Sequence, residues 1–596
     1  MAPSYQPVTE SGVARVVRHG RFTPVPHARE GRACLTLRPG RGELRTMRWV
    51  APLGLYLLAL IIRLIAATEI PFPVVEPSAY YVGVAQNLVN DAGLVSDAVW
   101  SYATPPLQVP DPAFELWLPM STFVSAAAMV LVGDSFWAAQ VGSALLGALV
   151  APLAWAVGRE AANTQGLDSR RGRAVAITSG LLAAALSPQV LGSAVPDSYV
   201  PFTVFVLVSA LLVPRVIGAR NGHDDVMPPS VAAGLGLGIA MGLAYLSRQE
   251  VVWLGLTVLL MQGLVLQWRP TGARLREAAR RLWPVFVGGL MVVAPWLLRN
   301  WMELGSPLPG QVTDNMVFVA NEDVFAFNDH PSAATYLAQG LVTVLLNPLK
   351  AAVDGLINVI ILPPFPVGIA GVVALVGLRR APCLRRPTAL MALLVSGLLT
   401  FVTTTLLFPV ATLWGTFMHA SGPLLIGLAV MAAVGGDALL ARISAIRGWE
   451  KPNIIVTPLA LVSTTLLMTG FQLAIVGSVA DDEQARMESL AASLERTAGN
   501  GGVNQPETFI TDHPMWLAWV TDDYAIALSD EDLASLVELA SVFDAWRVVV
   551  VDERGRYPEA LLSDEARTCL AADPMPLETT AGDTWLFELA PDCETP

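Results

Sequence analysis

WVAPLGLYLLALIIRLIAAT, residues Trp49–Thr68, followed after five residues by VVEPSAYYVGVAQNL, Val74–Leu88, is the stretch whose reading decides the fold. The first piece carries a single charge, Arg63, and about 20 apolar residues rising 1.5 Å each are what a hydrocarbon core requires. The second piece opens on Glu76-Pro77 and then sets Tyr81, Val84, Ala85 and Leu88 on one helical face. A membrane span is therefore expected to lead into a loop, 69–115, with an acid at the entrance of its helix.

Similar apolar runs recur as far as Gly477 and stop after Ala480. The chain of 596 residues is 54% hydrophobic and 15% charged, with a mean hydropathy of +0.53, where an ordinary soluble domain is about 25% charged. We expect a predominantly α-helical polytopic membrane protein with about eleven crossings, near 49–68, 137–158, 174–193, 198–214, 230–246, 251–267, 284–301, 364–378, 388–408, 412–434 and 454–478.

Nine Arg precede Trp49, which places the N-terminus in the cytoplasm and loop 69–115 on the exoplasmic face of a plasma (inner) membrane. Further Arg clusters, around 159–173, 215–220, 269–281, 379–386 and 442–451, mark returns to the cytoplasm. Segment Leu116–Gly133 is expected to pack as a re-entrant or juxtamembrane helix, because a crossing there would push most Arg-rich loops outside. Leu341–Pro363, inside an expected exoplasmic loop 302–363, is ambiguous: apolar, but broken by Asn347-Pro348 and Pro363-Pro364. Residues 1–46 lack the apolar core of a signal peptide. They read as a disordered Arg-rich cytoplasmic arm, or as untranslated sequence ahead of Met47.

An odd number of crossings that begins inside ends outside, so domain 481–596 is expected to be exoplasmic, after a membrane domain 47–480. It holds 25 Asp and Glu against six Arg and no Lys, a net of −19 in a chain of net −13, which excludes a nucleic-acid partner. Ala485–Ala498 and Asp530–Val542 have helical patterns, and Phe509–Thr511, Tyr524–Leu528, Val548–Asp552 and Trp585–Leu589 alternate as short strands, so a small α/β domain is expected. Cys569 and Cys593 share it and read either as a disulfide, which persists outside the cell, or as two buried thiols; Cys34 and Cys383 fall on the reducing side. No Gly-rich phosphate loop, nucleophile elbow or metal-ligand spacing occurs, so metal ligands are not expected, and a divalent cation is left open.

Four motifs follow one another in order. Glu76 precedes Tyr80-Tyr81; Pro196-Asp197 lies on an outer turn; Gly242-Leu-Ala-Tyr-Leu-Ser247-Arg248 ends one helix; and Ala294-Pro295-Trp296-Leu-Leu-Arg299-Asn300 ends another. Together they resemble the GT-C superfamily, in the branch of protein O-mannosyltransferases and lipid A aminoarabinose transferases. The resemblance covers roughly 49–310 and implies a GT-C fold and a membrane glycosyltransferase. Such an enzyme moves a sugar from a polyprenyl-phosphate donor in the bilayer to an exoplasmic acceptor by single displacement. It departs from the pattern in Glu for the commoner Asp at 76, in Ser247 for Thr, and in lacking the His-rich repeat domain of the eukaryotic mannosyltransferases.

On that reading Glu76 is the base that takes the acceptor proton, with Glu115 and Asp197 as further catalytic candidates. Arg248 and Arg299 stabilise the leaving phosphate, and Tyr80, Tyr81, Trp100, Tyr102, Trp117 and His419 contact sugar or acceptor. Each position has a plainer role open to it. Glu76 can be an acid favoured by a helix N-terminus, Glu115 a solvated loop acid and Asp197 a turn former. The arginines can anchor helix ends, the aromatic residues can form an interfacial belt, and His419 can be a satisfied core residue. Two other functions are weighed: a lipid-linked glycan flippase, which would want charges inside the spans rather than at their ends, and a non-catalytic envelope-assembly protein.

Overall fold

The computed structural model describes residues 43–218, 230–266, 271–309, 314–413, 415–449, 453–498, 506–529, 531–551, 561, 566–579, 584–591 and 593. Most of the expected arm 1–46, with Cys34, lies outside them. Helix α1 (Glu43–Thr68) contains the first span, and the loop helix α2 (Glu76–Val89) starts on Glu76 with Pro77 in its first turn, where a proline's missing N–H costs nothing. The loop's short strands β1 (Val95–Ser96), β2 (Ala98–Val99) and β3 (Asp111–Pro112) follow. Leu116–Gly133 becomes α3 (Met120–Val132), 13 residues and too short to cross. Its first N–H bonds to the Leu246 carbonyl, which ties it to the turn that carries Arg248.

The chain is a multi-pass membrane protein: among the described residues eight helices have the length and apolarity to cross, and a bent pair makes nine. They comprise α1; α4 (Phe136–Gly147) with α5 (Val150–Thr164); the bent pair α6 (Ser169–Ala185) and α7 (Ser187–Ala194); and α8 (Tyr199–Ile217). Between α8 and the next long helix lie α9 (Val231–Tyr245) and α10 (Val251–Val265). The set continues with α11 (Gly272–Leu304) and, after the short α12 (Ala333–Ala338), α13 (Leu341–Asp354), which runs on as a π-wound stretch to Ile361. Helix α14 (Val367–Gly377) is followed by α15 (Ala389–Leu407), the short α16 (Pro409–Leu413) and α17 (Thr416–Ala420), then α18 (Gly422–Arg447) and α19 (Val456–Ala498).

The ambiguous segment is thus a helix of span length. Of the crossings expected at 230–246, 251–267 and 364–378, the first two are 15-residue helices and the third has 11 residues. Glycine sets how closely they pack: in α9, a Cβ on Gly234 or Gly242 would come within 2.8 Å of Pro284 or Val292 of α11, and one on Gly238 would strike the Val285 carbonyl. A small residue every fourth position lets two backbones approach where water supplies no driving force.

Helix α19 passes unbroken through Ala480, so the expected boundary at 480/481 falls inside a helix of 43 residues, about 65 Å long. The end of hydropathy there is a change of surroundings, not of backbone. Beyond it β4 (Thr508–Thr511), α20 (Pro514–Thr521), β5 (Tyr524–Ala527), α21 (Leu533–Phe543), β6 (Arg547–Val550), β7 (Met575–Leu577) and β8 (Thr584–Glu588) complete the tail. The sheet order is β2-β5-β4-β6-β8-β7, parallel from β2 to β6 and antiparallel beyond. Its edge strand comes from the first loop, with Ala98 opposite Ala525 and Val99 opposite Ile526. Cys569 and Cys593 are joined as a disulfide, their Cα atoms 4.9 Å apart; Cys383 is a buried free thiol held by Gln165.

Candidate active site

Helix α2 carries Glu76 and, one turn on, the adjacent Tyr80 and Tyr81, which its rotation of about 100° per residue sends in different directions. Tyr81 faces the turn between α7 and α8. There Asp197 accepts from the Ser198 N–H and hydroxyl and pairs with Nδ1 of His419 on α17. Arg248, in the turn after α9, donates to Ser198 Oγ at 3.1 Å and to the Thr416 carbonyl at 3.4 Å, while its Nη2 lies 2.6 Å from Glu250. Burial alone would raise the Asp197 pKa, but His419, Arg248 and Ser198 together hold it at about 2, so it stays a carboxylate. The Tyr81 hydroxyl is pushed up by burial and by Asp197 and remains a neutral donor beside it.

Tyr80 turns to a second cluster. Its hydroxyl accepts the Phe114 N–H at 2.6 Å, in the segment that brings Asp111 and Glu115 together. Burial lifts Asp111 to about 7 against the pull of Arg299, and burial and then Asp111 push Glu115 well above the carboxylate range. Both carboxyls are thereby held toward their neutral forms, Glu115 further by the neighbouring Asp111. Arg299, near the end of α11, gives its hydrogen bonds to the carbonyls of Ala113 at 2.8 Å and Leu94 at 3.4 Å and to the Asn300 side chain at 3.3 Å. It also stacks on Trp296 at 5.2 Å, and among the described residues it forms no ion pair. Trp117 lies between the two clusters, 4.7 Å from the Tyr80 ring and 6.2 Å from that of Tyr81, and Trp100 continues the aromatic row toward Phe325.

Glu76 belongs to neither cluster. Its carboxylate pairs with His513 Nδ1 at 2.9 Å and accepts the Met515 N–H at 3.0 Å, at the N-terminus of α20. Burial raises its pKa against both contacts. His513 stacks on Trp516, whose indole N–H reaches the Pro73 carbonyl at 2.8 Å. Tyr102, expected near sugar, donates instead to the Ala527 carbonyl within the tail's core.

The structure therefore gathers Asp197, Arg248, His419 and Tyr81 in one cluster and Glu115, Arg299 and Tyr80 in another, with Trp117 and Trp100 alongside. Sequence reading missed Asp111, Ser198, Glu250 and His513. Asp111 carries a visible signal, an acid four residues before Glu115 in a Pro-bounded segment. His513 carries none, being 437 residues from its partner. Among the described residues no three His, Cys, Asp or Glu gather as metal ligands would.

No family model matches the sequence, and no curated protein sequence is similar to it. Solved structures are. ArnT of Cupriavidus metallidurans in its apo state superposes with a TM-score of 0.52 at 14% identity, over 92% of this chain and 99% of that one. The same protein bound to undecaprenyl phosphate gives 0.51 at 15% identity, over 91% and 98%. The likeness spans the membrane helices and the tail, and it shows the fold: the chain has the GT-C fold.

Proposed function

We propose that this chain is an integral-membrane glycosyltransferase that moves a sugar from a polyprenyl-phosphate carrier to a hydroxyl acceptor at the exoplasmic end of its helices. The observation that carries the reading is the Arg299 guanidinium beside the Asp111–Glu115 pair. A cation held by carbonyls and one amide, without a direct ion pair among the described residues, fits the phosphate that leaves as the glycosidic bond breaks. Two buried carboxyls held toward their neutral forms next to it fit the hydroxyls of a sugar. A relative in fold that binds undecaprenyl phosphate agrees with such a donor.

Arg248 is neutralised by Glu250 and bonded to Ser198 and Thr416, so its task is to hold two turns together. Glu76, the expected base, has its carboxylate engaged by His513 and the Met515 N–H and joins α2 to the tail. Attack by the acceptor oxygen on the face opposite the phosphate would invert the anomeric carbon. Release of undecaprenyl phosphate from a panel of undecaprenyl-phosphate monosaccharides by the purified protein tests the reading. No release from any of them, in a preparation that still binds undecaprenyl phosphate, would overturn it in favour of lipid transport without chemistry.

A further inference from the structure

We infer that His419 is the base of this reaction: Asp197 holds the ring through Nδ1–H, and Nε2 takes the proton of the acceptor hydroxyl. The inference rests on the glycosyl-transfer reading above and supplies the group that Glu76, engaged by the tail, leaves unassigned.

Three observations converge on it. Asp197 is a buried carboxylate that can only accept, so the nitrogen facing it carries the hydrogen and the other nitrogen is the basic one. The His419 side chain is 20% exposed while that of Asp197 is 9% exposed, so the ring, not the acid, is the member of the pair that a substrate reaches. Gly415 adopts φ +115°, and a Cβ there would stand 3.3 Å from Nε2 and Cδ2. Glycine both permits that backbone and keeps a side chain off the Nε2 edge of the ring, and among the described residues nothing bonds to Nε2.

A buried acid that fixes the tautomer of a partly open imidazole is the arrangement that makes histidine an effective base in hydroxyl activation. The charged and titratable groups facing the pair are Arg248 and Glu250 from the turn after α9 and Tyr81 from α2. In the step, the acceptor O–H bond breaks to Nε2 as its oxygen bonds to the anomeric carbon. The bond from that carbon to the phosphate oxygen breaks with its electron pair going to the phosphate. The imidazolium left beside Asp197 then returns its proton to water.

The test compares His419→Gln and His419→Gly with wild type in undecaprenyl-phosphate release. Undecaprenyl phosphate affinity, read from tryptophan fluorescence, controls for folding. Loss of a general base lowers turnover by about 10²–10⁴-fold. We expect that loss in both variants with affinity within about twofold of wild type, recovery of His419→Gly by added imidazole, and disappearance of the acid limb of the pH–rate profile in His419→Gln. Wild-type turnover in His419→Gln, or an unchanged acid limb without imidazole rescue, overturns the assignment. If Arg299→Met abolishes release in the same assay while His419→Gln does not, the glycosyltransferase reading stands and only the base is wrong. No release by wild type removes both.

Discussion

Arg299 and Arg248 carry the same charge at neighbouring helix ends and differ in what already holds them. Arg248 faces Glu250 at 2.6 Å, whereas Arg299 bonds to carbonyls and one amide. Removing a preorganised charge from a transition state costs about 10²–10³ in turnover. Arg299→Met should therefore lose about that much phosphate release with its thermal midpoint little changed, and Arg248→Met should lower the midpoint itself, because it leaves the half-buried Glu250 without its ion-pair partner. Equal midpoints for the two variants would remove the distinction. Asp111 gives a pH test. Its folded pKa, about 7, lies above the usual 3.8, so the folded state keeps a proton that the unfolded chain loses. Stability then falls as pH rises from about 4 to about 7 and levels off above. Asp111→Asn should raise the melting temperature more at pH 8 than at pH 5 in scans of the detergent-solubilised protein; a larger gain at pH 5 would contradict the raised Asp111 pKa. These residues show what sequence can reach. Types and helix ends were legible, because an acid or arginine at the end of an apolar run has few other places to be. Partners were not, because Asp197 and His419, or Glu76 and His513, meet only through packing that no local pattern encodes.

At the scale of elements, the break between α6 and α7 explains the charge buried in α1. Leu186 is extended, Pro188 cannot donate, and the helices bend by 43°, so carbonyls at the end of α6 lose their partners. Arg63 donates to the Ala184 carbonyl at 3.3 Å and to Ser193 Oγ at 3.1 Å, one bond on each side of the break. A cation at a helix C-terminus also meets the negative end of its dipole. Arg63→Met should lower stability by about 2 kcal/mol or more, the cost of leaving such groups unpaired, and Arg63→Lys should recover only part of it; a melting temperature unchanged in Arg63→Met would show that the break needs no cap. The α9–α11 contact fails differently. Gly238→Leu places a side chain against the Val285 carbonyl, so the helices must separate, and we expect folded yield to collapse, whereas Gly255→Leu, whose nearest neighbour across the space is a flexible Met241 methyl at 3.6 Å, should be tolerated. Similar yields of the two, by fluorescence-detected size exclusion, would argue that the close approach is not required. Long spans were legible from hydropathy alone; α9, α10 and α14 were recognised as apolar but credited with more length than they have, because hydropathy does not reveal where a helix ends inside a bundle.

For the whole molecule, the question left by the sequence was whether the acids and arginines share a face, and contacts answer it without counting spans. Strand β2 of the first loop pairs with β5 of the tail, and Glu76 holds α20, so loop and tail lie on one side. Arg299 reaches the Ala113 carbonyl of that loop, and Tyr81 of α2 faces Asp197 and Arg248, so both clusters lie there too. The same helices run away from this face to the arginines: α8 starts beside Asp197 and ends where Arg281 reaches the Val216 carbonyl, and α18 starts after His419 and carries Asp437, which pairs with Arg171. By the positive-inside rule we predict the Arg-rich end to be cytoplasmic and the clusters and tail to be outside. Single cysteines test this in a background with Cys34 and Cys383 replaced by serine. A membrane-impermeant maleimide added to intact cells should label Asn90→Cys in the loop and Asp544→Cys in the tail, both exposed, and should reach the exposed Asp168→Cys at the Arg-rich end only after lysis. Labelling of Asp168→Cys alone would invert the orientation yet leave the shared face intact, since the contacts do not depend on which compartment they occupy. Labelling of only one of Asn90→Cys and Asp544→Cys would break the shared face itself, and with it the case that a lipid-borne phosphate at Arg299 and an acceptor at His419 meet on the same side of the bilayer.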